Sequence, residues 1–122
     1  MSKLSFTKEE YTKLARLVSR LIAMRSHLTK KEMGKGNNAL IKELSNKVSV
    51  VTAESDSYDV FLKRPHLRLI EGMMLEAVDV LRNKVIPEYE KRNLVDKQKY
   101  IETARATADI YASILGKIEE AL

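Results

Sequence analysis

The chain has 122 residues and carries 22 Lys and Arg against 17 Asp and Glu, a net charge of +5. This length corresponds to about one domain that can bury a core of its own. Because cysteine is absent, disulfide scaffolds, thiol nucleophiles and thiolate metal sites are excluded. No apolar run approaches the roughly 20 residues that span a bilayer, and the first six residues do not resemble a secretory signal. We therefore expect a soluble, cytoplasmic protein that does not interact with membranes.

The first predicted helix covers about residues 8–28. Thr7 and Glu10 have the spacing of a capping box, in which each side chain binds the other residue's backbone N–H. Apolar residues then recur at helical spacing: Tyr11, Leu14, Leu17, Val18, Leu21, Ile22 and Leu28. Gly34 and Gly36 predict a structured loop over residues 29–37.

The second predicted helix covers about residues 38–63, with Asn37 or Asn38 as its N-cap. Its first apolar positions are Leu40, Leu44, Val48 and Val51. The same spacing continues to Leu62 and favours an unbroken helix, whereas the polar residues 55–57 favour a break. Both alternatives remain open at this point.

A third helix is predicted over residues 65–92, with Pro65 at its first position. Because Pro87 lacks a backbone N–H, it either ends this helix at Ile86 or kinks it into a further turn to residue 92. A fourth helix covers residues 97–121, with Asp96 as its N-cap.

Four helices with short connections predict an all-α fold, an antiparallel four-helix bundle that forms a single domain over residues 1–122. We find no internal repeat. The third and fourth helices carry apolar stripes about half the circumference wide, and assembly into a homo-oligomer would bury the excess. The alternative is that each helix contacts two neighbours.

The residue types needed for catalysis are sparse. The two histidines, His27 and His66, lie in neither an HExxH nor an ExxH spacing, so we expect no metal site. Residues 34–38 resemble a phosphate-binding loop in composition only, and a helix end and turn explains them better. His66 is expected at the surface or as a cap in the first turn of the third helix. We therefore predict no enzymatic activity and no cofactor.

The positive charge is concentrated near the start of the chain. Residues 1–36 hold nine Lys and Arg against three Asp and Glu, and the remaining residues have a small negative excess. A one-sided basic stripe of this kind binds phosphates in a salt-sensitive and largely sequence-independent way. The candidate nucleic-acid-binding residues are Lys13, Arg16, Arg20, Lys30, Lys31 and Lys35. The alternative is a solvated charged face.

Arg25 projects from the middle of the apolar face of the first helix. A buried charge needs a partner. Either Arg25 lies at an open end where a long side chain reaches water, or it pairs with a carboxylate such as Glu71 or lines an interface or pore.

The second half of the chain resembles a known family. The similarity rests on Leu-Arg-Leu-Ile-Glu at 67–71, Ala-Val-Asp-Val-Leu-Arg at 77–82, Asn-Leu-Val-Asp-Lys-Gln-Lys-Tyr at 93–100 and the segment 110–118 with its Leu-Gly pair. These segments resemble the small four-helix-bundle family that includes the accessory variability proteins of diversity-generating retroelements and the proteins encoded in 23S rRNA intervening sequences. The resemblance implies a homopentameric barrel that binds RNA or DNA and, in the retroelement branch, a reverse transcriptase partner.

Two functions are therefore weighed. The first is a non-enzymatic, oligomeric, basic helical bundle that binds nucleic acid as an accessory to a nucleic-acid enzyme. The second is a protein-only adaptor or oligomeric structural protein in which the apolar stripes form the interface and the positive charge is incidental.

Overall fold

A computed structural model describes residues 2–25, 35–48 and 57–122, and the side chains of residues 22–25 and 35–39 lie outside that description. The described chain is mostly helical, with one small sheet. In chain order the elements are β1 (Ser2–Phe6), α1 (Lys8–Arg25), α2 (Lys35–Lys47), β2 (Tyr58–Leu62), α3 (Arg64–Val80), a π-helical turn (Leu81–Val85), α4 (Ile86–Lys91) and α5 (Lys97–Ala121). None of the described helices is long and apolar enough to cross a membrane.

The two strands pair antiparallel, and Leu4 lies opposite Val60. Along each strand buried and exposed residues alternate, with Leu4, Phe6, Val60 and Leu62 facing the core. Neither strand was predicted from the sequence. The predicted unbroken helix to residue 63 is wrong, because α2 ends at Lys47 and β2 occupies residues 58–62.

The start of α2 also differs from the prediction. It begins at Lys35, so Asn37 and Asn38 lie inside the helix and neither is its N-cap. A glycine inside a helix costs about 1 kcal/mol, and the burial of Ile41 and Leu44 outweighs that cost. The end of the predicted loop over residues 29–37 is therefore helical, and the remainder of that loop lies outside the described residues.

The start of α1 is the predicted capping box. The Thr7 hydroxyl accepts the Glu10 N–H at 3.2 Å, and the Glu10 carboxylate accepts the Thr7 N–H at 2.8 Å. The helix is described to Arg25, and the last predicted turn to residue 28 lies outside the described residues.

The third predicted helix is divided in the structure. After α3 the chain makes a π-helical turn in which the Ile86 N–H donates to the Leu81 carbonyl, five residues earlier. Pro87 offers no N–H and its ring crowds the preceding turn, so widening the helix there accommodates it. The predicted irregularity at Pro87 thus takes the form of a π-helical turn.

The final helix has the predicted bounds. Asp96 occupies its N-cap position in the left-handed region, with a φ of 61°. The predicted N-cap position is therefore confirmed, but the Asp96 side chain makes no capping hydrogen bond.

The fold contains an internal repeat, contrary to the expectation from the sequence. One unit is β1, α1 and α2; the other is β2, α3 and α5, with the π-helical turn and α4 inserted. When residues 2–21 are aligned with residues 58–77, each pair of equivalent residues has the same degree of burial at all but two positions. The two exceptions are Thr12 against Arg68 and Ala15 against Glu71. Residues 40–48 match residues 110–118 in the same way except at Lys42 against Ala112.

The sheet shows how the two units are related. Leu4 corresponds to Val60 in the repeat and also pairs with it across the sheet. A pseudo-two-fold axis therefore passes between these two residues. The main core gathers side chains of both units: Leu4, Phe6, Leu14, Val18, Leu44, Val48, Val60, Leu62, Ile70, Met74, Ile114 and Ile118. A smaller cluster of Ile86, Ile101 and Ala104 lies under the α4–α5 connection.

Candidate nucleic-acid interface

Three of the predicted basic residues lie on one side of α1. Arg16 and Arg20 are exposed and Lys13 is half-buried. They are three and four residues apart, so they follow one side of the helix and span about 10 Å along its axis. We call Lys13, Arg16 and Arg20 the basic face of α1.

These cations are not neutralised by neighbouring acids. Among the residues that the structure describes, no carboxylate oxygen lies within 4.0 Å of the charged nitrogens of the basic face. Four other exposed arginines do have such partners, for example Arg82 with Asp109 at 3.3 Å and Arg92 with Glu88 at 3.0 Å. The basic face therefore keeps its full charge for an external anion.

Tyr111 of α5 lies beneath the basic face. Burial raises the pKa of its hydroxyl, and the positive charges of Arg20 and Arg16 act in the opposite direction. Both guanidinium groups therefore lie close enough to the Tyr111 hydroxyl for their charge to act on it.

A groove of about 550 Å³ runs beside the basic face, between α1 and α3, with α5 as its floor. Lys13 and Arg20 form its α1 rim, and Glu76 lies on the α3 side. Its lining is mainly apolar: Leu17, Leu21, Met73, Ala77, Val80 and Leu81, together with Thr107 and Tyr111. The groove therefore combines a mainly apolar lining with one positively charged rim.

The other predicted residues are not placed by the structure. Lys30 and Lys31 lie outside the described residues, as does His27. Lys35 starts α2 and Arg25 ends α1, but both side chains lie outside the description. The structure therefore brings together only Lys13, Arg16 and Arg20 of the predicted set.

Glu10 anchors a buried polar corner between β1, α1 and α5. Its carboxylate accepts hydrogen bonds from Ser113 and Lys117, each at 2.5 Å, and Lys117 also donates to the Ser5 carbonyl at 3.0 Å. Burial alone acts to raise the pKa of Glu10, but the hydrogen bonds from Lys117, Ser113 and Thr7 and the charge of Lys117 hold it below its ordinary value. The carboxylate is thus kept ionised as a structural anchor.

His66 occupies the equivalent corner of the second unit. It is completely buried, and its Nδ1 accepts the Lys63 N–H at 3.2 Å. The predicted capping role of His66 is therefore confirmed, whereas its predicted surface position is wrong. Its Nε2 has no hydrogen-bond partner in the described structure and lies 3.6 Å from Glu43 Oε1. Glu43 was not predicted from the sequence, because its contact with His66 depends on how α2 packs against the start of α3.

The described residues contain no group of three or more His, Asp or Glu side chains arranged to hold a metal ion. The sequence matched no protein-family profile, and searches among curated proteins and solved structures found no match.

Proposed function

We propose that this protein is a non-enzymatic nucleic-acid-binding protein that contacts the phosphate backbone through the basic face of α1. The observation that carries the proposal is that Lys13, Arg16 and Arg20 lie together on α1 with no carboxylate partner among the described residues. Phosphates of one DNA strand follow each other about every 3.4 Å along the duplex axis, so a row of about 10 Å spans about three such intervals and allows each of the three cations to contact a different phosphate. Binding of this kind depends on charge and little on sequence.

The experiment is a titration of labelled duplex DNA and of single-stranded RNA, followed by fluorescence anisotropy at several salt concentrations. Neutralising three phosphates predicts a slope of log K against log salt of about −2.7 on duplex DNA, since each contributes about 0.9. The Arg16→Gln/Arg20→Gln variant should weaken binding and reduce the slope to about −1.

A matched control keeps the net charge change but moves it elsewhere. Arg82→Gln/Arg105→Gln removes two arginines that are already close to Asp109 and Glu90. This control should bind as the wild type does. If both double variants lose affinity equally, the binding reflects net charge alone and the basic face is not the interface.

The finer architecture forms part of the same proposal. We expect the helices to pack as an antiparallel bundle, to assemble as a cytoplasmic homo-oligomer with up to five copies, and to assist a partner such as a reverse transcriptase. The support is the resemblance in the second half of the chain. Light scattering coupled to size exclusion, with and without a structured RNA, measures the mass. A monomer that RNA leaves unchanged would contradict both parts.

The second candidate is a protein adaptor, and the apolar groove between α1 and α3 favours it. In that case Leu17→Asp should abolish association with the partner or with a second copy. Any nucleic-acid binding should keep the same slope of log K against log salt in the Arg16→Gln/Arg20→Gln variant. Both results together would favour the adaptor function over nucleic-acid binding.

A further inference from the structure

The internal repeat places two buried polar corners in equivalent positions. In each corner, a helix begins directly after a strand, and the third residue of that helix lies next to two residues of another helix. In the first corner these are Glu10, Ser113 and Lys117. In the second they are His66, Glu43 and Lys47.

The lysines show how closely the corners correspond. Lys117 donates to the carbonyl of Ser5 in β1, and Lys47 donates to the carbonyl of Phe61 in β2 at 2.9 Å. Ser5 and Phe61 are equivalent positions in the repeat. Each corner therefore joins a strand of one unit to the second helix of the other.

The corners differ in the group at their centre. Glu10 receives three hydrogen bonds and an ion pair. His66 has one hydrogen bond, to Nδ1, and a buried Nε2 without a partner in the described structure. Since Nδ1 accepts the Lys63 N–H, it carries no proton, and a neutral ring has its proton on Nε2.

We propose that His66 is an acid-sensitive latch that holds α2 against the corner between β2 and α3 and releases it when the imidazole is protonated. Protonation places a hydrogen on Nδ1, which then faces the Lys63 N–H, so two donors oppose each other and the cap of α3 is lost. The same proton leaves a buried cation in contact with the end of α2.

The charged groups around His66 act in both directions. The Glu43 carboxylate, 3.6 Å from Nε2, attracts the protonated ring, whereas Lys47 and Lys63 repel it. Glu43 and Lys47 face it from α2, and Lys63 faces it from the residue before α3. Burial is the largest influence and lowers the pKa of His66; Glu43 opposes this, and the two lysines act with burial. Because the folded pKa is lowered, the contribution to stability is complete above the ordinary histidine value of about 6.5 and is lost as the pH falls below it.

The test is hydrogen exchange of the full chain at pH 7.5 and pH 5.5, corrected for intrinsic exchange rates and read by mass spectrometry. Peptides from α2 in the wild type should lose protection at the lower pH, by up to about tenfold, because pH 5.5 lies about one unit below the ordinary histidine pKa of about 6.5. Peptides around Lys117 in α5 should keep theirs, because Glu10 stays ionised throughout this range.

Two variants separate the latch from general acid sensitivity. His66→Asn keeps an oxygen that accepts the Lys63 N–H but cannot titrate, so its α2 protection should be the same at both pH values. His27→Asn removes the other histidine and should behave as the wild type. Equal loss of protection in wild type and His66→Asn, or no loss in the wild type, would overturn the proposal.

A measurement on the wild type covers the case in which His66→Asn does not fold. Long-range ¹⁵N–¹H spectra report the protonation of each imidazole nitrogen. We expect an unprotonated Nδ1 at neutral pH and a His66 pKa below the ordinary histidine value of about 6.5. A proton on Nδ1 at neutral pH, or an unshifted pKa, would refute the latch.

Discussion

The Glu10 corner ties the first strand to the last helix through one carboxylate. Its oxygens receive donors from Thr7, Ser113 and Lys117, and the Lys117 ammonium also lies 5.6 Å from the centre of the Phe6 ring. Residues more than a hundred positions apart therefore meet at a single buried acid.

Glu10→Gln keeps the shape of the side chain and removes its charge. The variant should unfold with a free energy lower by about 1–3 kcal/mol at pH 7, because Lys117 loses its ion pair and a charge-assisted hydrogen bond. Since the pKa of Glu10 is lowered by folding, the wild type loses this advantage as the pH falls below about 4.3. Urea titrations at pH 7 and pH 3.5 measure both effects.

The matched control is Glu9→Gln, which makes the same charge change on the neighbouring exposed residue. It should change stability by only about 0.5 kcal/mol at either pH. A Glu10→Gln protein as stable as this control at pH 7 would show that the corner does not stabilise the fold.

At the level of the elements, the two strands show alternating buried and exposed side chains, and this alternation can be tested by substitution. Phe6 and Leu62 occupy equivalent positions and are fully buried, whereas Phe61 is 53% exposed. Phe6→Ala and Leu62→Ala should each lower the free energy of unfolding by about 2–5 kcal/mol, through lost burial and a cavity. Phe61→Ala should change it by only about 0.5 kcal/mol. Chemical denaturation followed by circular dichroism measures the three changes, and a loss for Phe61→Ala as large as that for Leu62→Ala would contradict the alternation.

The elements also show what the sequence could predict. The α1 start and the bounds of α5 follow from capping chemistry and long helical repeats. The β2 strand was missed because Tyr58 and Leu62 are four residues apart, a spacing that suits both a helix turn and strand alternation. Only pairing with β1, which is distant in the sequence, selects the strand.

The candidate site was predictable in part. Lys13, Arg16 and Arg20 were found from helical spacing, which depends on local geometry alone. Their lack of carboxylate partners and the groove beside them required the packing of α1 against α5 and the facing α3. The buried His66 corner was invisible for the same reason, because Glu43 reaches it from another helix.

On the scale of the whole molecule, the two units share their packing but differ in residue identity. None of the residues 2–25 is identical to its counterpart in 58–81. Apart from Glu10 and His66, the buried positions shared by the two units are apolar in both, as Leu14 against Ile70 illustrates, but the residues differ, so a comparison of residue identities does not show the repeat. The exposed positions have diverged in charge: the counterparts of Arg16 and Arg20 are Gly72 and Glu76. A pseudo-symmetric fold thus carries a basic face on one side only.

The α4–α5 connection lies outside this symmetry and has its own small cluster of apolar residues. Because that cluster has only three buried residues and is separate from the main core, with Leu81 packed against both, it should open more readily than the rest. Ile101→Ala, in the small cluster, should speed hydrogen exchange in α4 and the first turns of α5 while α1 and α3 stay protected. Ile114→Ala, in the main core, should cost about 2–5 kcal/mol and speed exchange throughout the chain. If Ile101→Ala instead lowers protection equally everywhere, the α4–α5 connection unfolds together with the core, and the inserted segment has become part of one cooperative unit.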